Sequence, residues 1–166
     1  MRLRCETPAD ADAIDALLAR AFAGHPHSHQ TEAAIVRALR AAGALSLSLV
    51  AEDDDGGVIG HVAASPVRVA GAERGWYGLG PLAVEPARQR GGVGSALMRA
   101  VLETVGARGA AGCVLVGDPA YYARFGFAPL PGLELPGVPA EVFVGRVLAG
   151  PPAHGLVAFH PAFEAS

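Results

Sequence analysis

Leu79-Gly80-Pro81-Leu82-Ala83-Val84-Glu85-Pro86-Ala87-Arg88-Gln89-Arg90-Gly91-Gly92-Val93-Gly94-Ser95-Ala96-Leu97 is the stretch on which the fold of this chain turns. It reads as an apolar strand ending at Val84, a loop rich in arginine and glycine, and a helix starting near Gly92. A helix start presents backbone N–H groups with no partner of their own, together with the positive end of the helix dipole. Gly91, Gly92 and Gly94 allow close approach of the backbone, and Arg88 and Arg90 add charge, so the loop suits an anionic phosphate. A dinucleotide fingerprint does not fit, because Leu97 stands three residues after Gly94 where a glycine belongs and the loop lies in mid-chain. Pro81 has no N–H to give to a sheet, which predicts a bulge or an unpaired edge in its strand.

Outward from this stretch the chain alternates helix and strand signals. Leu3 and Cys5 alternate with Arg2 and Arg4 as a short strand. Thr7-Pro8-Ala9-Asp10 follows as N-cap, first-turn proline and first-turn acid of a helix. That helix carries Ile14, Leu17, Leu18 and Phe22 at helical spacing and closes at Gly24. A second helix is expected from about Thr31 to Ala42, with Ile35, Val36 and Leu39 on one face and Gly43 as its stop. Leu45 to Ala51 and Val58 to Val69 read as a hairpin about the acidic turn Asp53 to Gly57, and Gly71 to Gly75 leads to a third strand, Trp76 to Val84. Downstream, Gly92 to Val105 is helical, with Val93, Leu97, Val101 and Val105 on one face. Val114 to Val116 is a buried strand and Ala120 to Phe125 one or two helical turns. Pro129 to Pro139 reads as a loop, Glu141 to Leu148 as a strand and Leu156 to Phe159 as a weak strand.

Composition narrows the function. The chain has 166 residues, 51% hydrophobic and 17% charged, which predicts one folded domain. All 13 basic residues are arginine, and without lysine there is no P-loop, no Schiff base and no lysine nucleophile. A net charge of -3 with no basic run argues against nucleic acid as partner. No apolar run approaches a membrane span and no signal-peptide pattern opens the chain, so the expectation is a cytoplasmic protein, a monomer or homodimer, with Cys5 and Cys113 reduced and buried.

Gln89, Gly92 and Gly94 fill the pattern Q/R-x-x-G-x-G/A. With the strand ahead of it, this resembles the coenzyme A pyrophosphate loop of the GNAT superfamily of N-acetyltransferases. Gly117-Asp118-Pro119-Ala120-Tyr121-Tyr122-Ala123-Arg124-Phe125-Gly126-Phe127 resembles that superfamily's second signature, a tyrosine four residues before the glycine of a closing G-F. The order of elements, one strand, two helices, three antiparallel strands, helix, strand, short helix and strand, is similar to that fold over nearly the whole chain. Gly60-His61-Val62, Ser65-Pro66-Val67, the Gly117-Asp118-Pro119 turn and the tail from Gly155 to Phe163 resemble its YhbS-like branch.

The resemblance implies a single α/β (α+β) domain, with a mixed, mostly antiparallel twisted sheet flanked by helices. Its core runs from about residue 1 to 148, and residues 149 to 166 form a C-terminal extension. It implies acetyl transfer from acetyl-CoA to a primary amine by direct attack in a ternary complex, with no metal. Transfer of a longer acyl chain is the alternative within enzymes, and a catalytically silent acyl-CoA-binding module the alternative outside them. It places the pantetheine arm along Leu82, Ala83 and Val84, and the pyrophosphate on Gln89, Arg90, Gly91, Gly92, Val93, Gly94 and Ser95. Arg124 is carried over as a further cofactor contact. Tyr122 is carried over as the acid that protonates the departing thiolate, a role suited to a phenol with its pKa of about 10.

The base that deprotonates the acceptor is open, because Trp76 to Val84 contains no acid. Asp118, just after the strand that follows the cofactor helix, and Glu85, just past Val84, are the candidates, and a water chain would also serve. Neither signature holds a cysteine, so a covalent acetyl-enzyme has no obvious nucleophile. His25, His27 and His29 lack the usual ligand spacing of a metal site and are expected on the acceptor side. His61, inside an apolar strand, reads as a hydrogen-bonded core histidine, and Glu52 to Asp55 as a solvated turn.

Overall fold

The structure, a computed structural model, describes residues 1–166. Eight strands form one twisted sheet: β1 (Arg2–Cys5), β2 (Leu47–Glu52), β3 (Val58–Val69), β4 (Ala72–Val84), β5 (Gly112–Val116), β6 (Leu133–Glu134), β7 (Phe143–Val147) and β8 (Gly155–Ala158). The main path runs β1-β2-β3-β4-β5-β7, antiparallel except between β4 and β5. Helices α1 (Ala11–Phe22) and α2 (Glu32–Ala41) cover one face, and α3 (Val93–Ala107) covers the other. A short α4 (Pro119–Ala123) follows β5. This is the expected mixed, mostly antiparallel α/β sheet.

Alternation along the strands feeds both faces. Leu49, Ala51, Val62 and Ala64 point to α3, where Val93, Leu97, Met98, Val101, Leu102 and Val105 bury their stripe. Val50 and Ala83 point the other way, to Ile14, Leu17 and Leu18 of α1 and Val36 of α2. Full burial of a side chain such as Leu97, which has no exposed surface, is worth about 2–3 kcal/mol. Gly60 lies under the start of α3: a Cβ there would stand 2.7 Å from Val93 Cγ1 and 2.8 Å from Leu97 Cδ1. A glycine at this point lets the helix rest directly on the strand.

Several expectations need correction. β4 begins at Ala72, not Trp76, because Ala70 and Gly71 both take positive φ (52° and 81°) and close a two-residue hairpin in which Val69 pairs with Ala72. The loop Pro129 to Pro139 contains β6, which pairs in parallel with β8, and β8 continues the line of β2 by pairing with Arg68 and Val69 of β3. The C-terminal segment is thus part of the sheet, and Phe159 fills the space over Gly78. The late strand starts at Phe143, because Ala140–Val142 form a 3-10 turn. Cys5 is exposed at the end of edge strand β1; only Cys113 is buried, where burial pushes its thiol up to about 12. No helix is long and apolar enough to cross a membrane.

The bulge expected of Pro81 is present. Val62 pairs with Leu82 and Ala64 with Leu79, so Gly80 and Pro81 together face Ala63. His61 is buried on the α1 and α2 side. Its Nε2 lies 2.8 Å from Ser48 Oγ, but Nδ1 has no partner, so the ring is only half satisfied. Burial lowers its pKa from 6.5 to about 4. The unfolded chain therefore takes up this proton at a higher pH than the folded one, and stability falls as pH drops from 6.5 toward 4. The full loss is about 3 kcal/mol. Urea unfolding from pH 7.5 to pH 4.5 is expected to show this slope in the wild type and a flatter one in His61→Gln.

Candidate functional site

The parallel ladder between β4 and β5 holds only three pairs, Trp76 with Gly112, Tyr77 with Cys113 and Gly78 with Val114. Beyond them β5 stays with β7, while the bulged end of β4 stays with β3. The two strands part, and the side of Leu79–Val84 that faced β5 has no strand opposite it.

The loop after β4 closes the open end of this gap. Pro86–Arg88 form a 3-10 turn, Gln89 Nε2 donates to the Val84 carbonyl at 3.3 Å, and Arg90 and Gly92 both take positive φ (65° and 89°) as the chain enters α3. Gly92 is the N-cap and offers no capping side chain, so the first-turn N–H groups of Val93, Gly94 and Ser95 have no partner within the helix. Gly94 has no Cβ; one built there would lie 3.0 Å from the Tyr121 hydroxyl and 3.5 Å from Val84 Cγ2.

A cavity of about 790 Å³ joins the gap to this loop. Among the residues expected at the site, Leu82, Ala83, Val84, Gln89, Arg90, Gly92, Gly94, Ser95 and Arg124 line it. Gly91 sits behind, with Arg88 O 3.2 Å from where its Cβ would be, and the Val93 side chain turns into the core. The opposite wall is Ala21, Phe22 and His25. Sequence reasoning missed Ala21 and Phe22; the one signal was that Phe22 lies at the end of the α1 stripe, where it is only half-buried.

The two tyrosines separate. Tyr121 lines the cavity beneath the Arg124 guanidinium, 4.7 Å from its ring centre. Tyr122, edge-on to it at 4.9 Å, is not among the residues lining the cavity: it turns to the end of β5 and packs against Gly117, Phe125 and Phe127. Burial, with the nearby Tyr121 and Asp118, pushes the Tyr122 phenol up to about 12.

No carboxylate lines the cavity, whose charged and titratable side chains are Arg90, Arg124, His25 and Tyr121. Asp118 is exposed at the N-cap of α4, where Oδ1 accepts from the Ala120 N–H at 3.0 Å. Glu85 is gripped by Arg20 of α1 through both Nε and Nη2, the latter at 2.6 Å. His25 Nδ1 accepts from the His27 N–H at 3.3 Å, and His25 stands 5.9 Å from Phe22, centre to centre. His27 and His29 are exposed and do not line the cavity. No group of three or more His, Cys, Asp or Glu side chains is placed to hold a metal ion.

Residues 44–129 match the model of the acetyltransferase (GNAT) domain. The chain belongs to the GNAT family of acetyltransferases. It is 46% identical over 127 residues, 76% of this chain and 73% of the other, to the uncharacterized N-acetyltransferase YhbS of Escherichia coli strain K12. A crystal structure of a GNAT family acetyltransferase from Brucella melitensis in complex with acetyl-CoA is 47% identical, covers 98% of this chain and 97% of its own, and superposes with a TM-score of 0.88. The structure of Escherichia coli YhbS in complex with CoA is 40% identical, covers 98% and 91%, and superposes with a TM-score of 0.90.

Proposed function

We propose that this acetyltransferase moves an acetyl group from acetyl-CoA to a primary amine by direct attack in a ternary complex. The observation that carries the reading is the junction of a strand gap with an uncapped, glycine-lined helix start in one cavity. Close relatives solved with acetyl-CoA and CoA support the choice of donor. The residues present fit that donor: three first-turn N–H groups without helical partners and the side chains of Arg90 and Arg124 suit a pyrophosphate, and the unpaired side of Leu82, Ala83 and Val84 suits an amide-bearing arm.

Acetyl-CoA supplies an activated thioester, whose carbonyl carbon forms a bond to the amine nitrogen as the C–S bond breaks. Tyr122 holds a proton for the departing sulfur. Its raised pKa keeps the phenol protonated throughout neutral and moderately alkaline pH, and a dry setting disfavours phenolate and thiolate alike. The amine reaches the thioester from the Phe22 and His25 side. Asp118, which does not line the cavity, takes its proton through water, with the oxygen not used in capping α4. Glu85, bound to Arg20, is the weaker candidate.

Release of free thiol from acetyl-CoA in the presence of an amine library tests the activity; tight binding with no turnover over a broad library would overturn it. Tyr122→Phe is expected to lower kcat by roughly 10²–10⁴ with little change in cofactor affinity, and Tyr121→Phe to do much less. A crippled Tyr121→Phe beside a near-normal Tyr122→Phe would reverse the two roles. Gly94→Val is expected to fold, because the added atoms meet the end of the Tyr121 side chain, and to lose coenzyme A binding by calorimetry. Wild-type affinity in that variant would remove the loop from the site.

A further inference from the structure

Beside the cleft, across α4, lies a second concavity of about 530 Å³. It runs between the middle of α3 and β7, and Arg124 is common to both cavities. Its floor is Leu102, Leu148 and Phe125. Its charged groups are Arg99, Arg124, Arg146 and Glu103, and none of the four takes part in an ion pair.

Seven of the 13 arginines form no ion pair, and three of those seven gather here. Arg2, Arg4, Arg20, Arg37, Arg40 and Arg88 each hold a carboxylate within 4 Å. Around α4 the guanidinium groups are instead fixed by uncharged neighbours. Arg146 Nη1 donates to the Phe125 carbonyl at 3.0 Å, and the side chain runs past Gly126, where a Cβ would stand 3.2 Å from its Cδ. The Arg99 guanidinium lies over the Phe125 ring at 5.4 Å, and that of Arg124 over Tyr121. Positions are thus set while the charges are left uncompensated, and three cations against one carboxylate leave a surplus of two. Like charges held round one concavity repel, and a bound anion relieves the repulsion.

We propose that this concavity is a binding site for a phosphomonoester. A phosphomonoester is close to doubly ionised at neutral pH and so matches the surplus of two, and the planar guanidinium fork matches its oxygens. The volume exceeds that of a phosphate group alone, so the group arrives on a larger molecule. Two sources share this chemistry: the ribose 3′-phosphate of a coenzyme A seated in the adjoining cleft, and a separate phosphorylated metabolite. The first source rests on the reading of the cleft given above.

Calorimetry with coenzyme A and with 3′-dephospho-coenzyme A separates these cases, using the wild type and Arg99→Gln/Arg146→Gln. Arg99 is exposed on α3, so the single Arg99→Gln guards against loss of fold in the pair. If the 3′-phosphate is the ligand, the wild type prefers coenzyme A by about tenfold, and the double variant loses that preference while binding the dephospho form as before. If a separate metabolite is the ligand, the preference is the same in both proteins, but inorganic phosphate raises the Tm of the wild type and not of the variant. Either result supports the site and names its source. Equal preference together with an equal phosphate response overturns it. Failure of the wild type to bind even dephospho-coenzyme A would overturn the reading of the cleft instead.

Discussion

Past Gly78 and Val114 the two central strands share no hydrogen bonds, and everything at the site depends on that parting. Backbone polar groups away from water are normally paired, so a sheet that opens in its middle needs something else to satisfy its edges. Here β4 is drawn to β3 through a bulge of two residues, Gly80 and Pro81, while β5 follows β7. The helix start then has to lie at the mouth of the gap and not above it. Gly60 arranges this, since any side chain there would lift Val93 and Leu97 and carry the first turn of α3 away from β4. The parted strands and the bare glycine under the helix are therefore two halves of one device.

Arg20 and Glu85 complete it from the other face. Their ion pair ties the last turn of α1 to the residue after β4, and so sets Ala21 and Phe22 as the far wall of the cavity. Glu85 is half-buried and held by two guanidinium nitrogens, and a bidentate contact of this kind fixes orientation as well as position. An acid that in sequence resembles a proton acceptor beside the site serves, in the fold, as a bracket between two elements.

What the sequence disclosed followed the range of the interactions. Helix stripes, the glycine stops at Gly24 and Gly43 and the acidic hairpin turn are local, and all appear where the spacing put them. The loop between β4 and α3 was legible because its bare helix start is a matter of backbone, which leaves glycines as its trace. Less local facts were hidden. The pairing of β8 with β3 joins residues some ninety positions apart, and nothing in Leu133–Glu134 announces a strand without β8 beside it. The hairpin at Ala70-Gly71 escaped notice because alanine is no turn signal, yet it adopts positive φ there. Ala21 and Phe22 as a cavity wall depend on how separate elements meet, which periodicity alone does not give.

The absence of lysine shapes the proton chemistry as well as the surface. Arginine stays protonated at any working pH, so none of the thirteen cations can accept a proton, and all of them can only hold or steer negative charge. Near the cleft this leaves phenols, imidazole and carboxylates to exchange protons. The fold sorts even these: Glu85 is bound by Arg20, His25 shares its Nδ1 with the backbone of its own loop, and Asp118 gives one oxygen to α4. Tyr122 is different, because it packs against aromatic rings and a glycine, and burial, with Tyr121 and Asp118 nearby, raises its pKa. Tyr121, one residue earlier, is turned by the helix toward the loop glycine, with the Arg124 guanidinium over its ring. A doubled tyrosine within a five-residue helix thus places one phenol among aromatic rings and the other beneath a guanidinium, and the roles proposed for the two rest on that difference in surroundings.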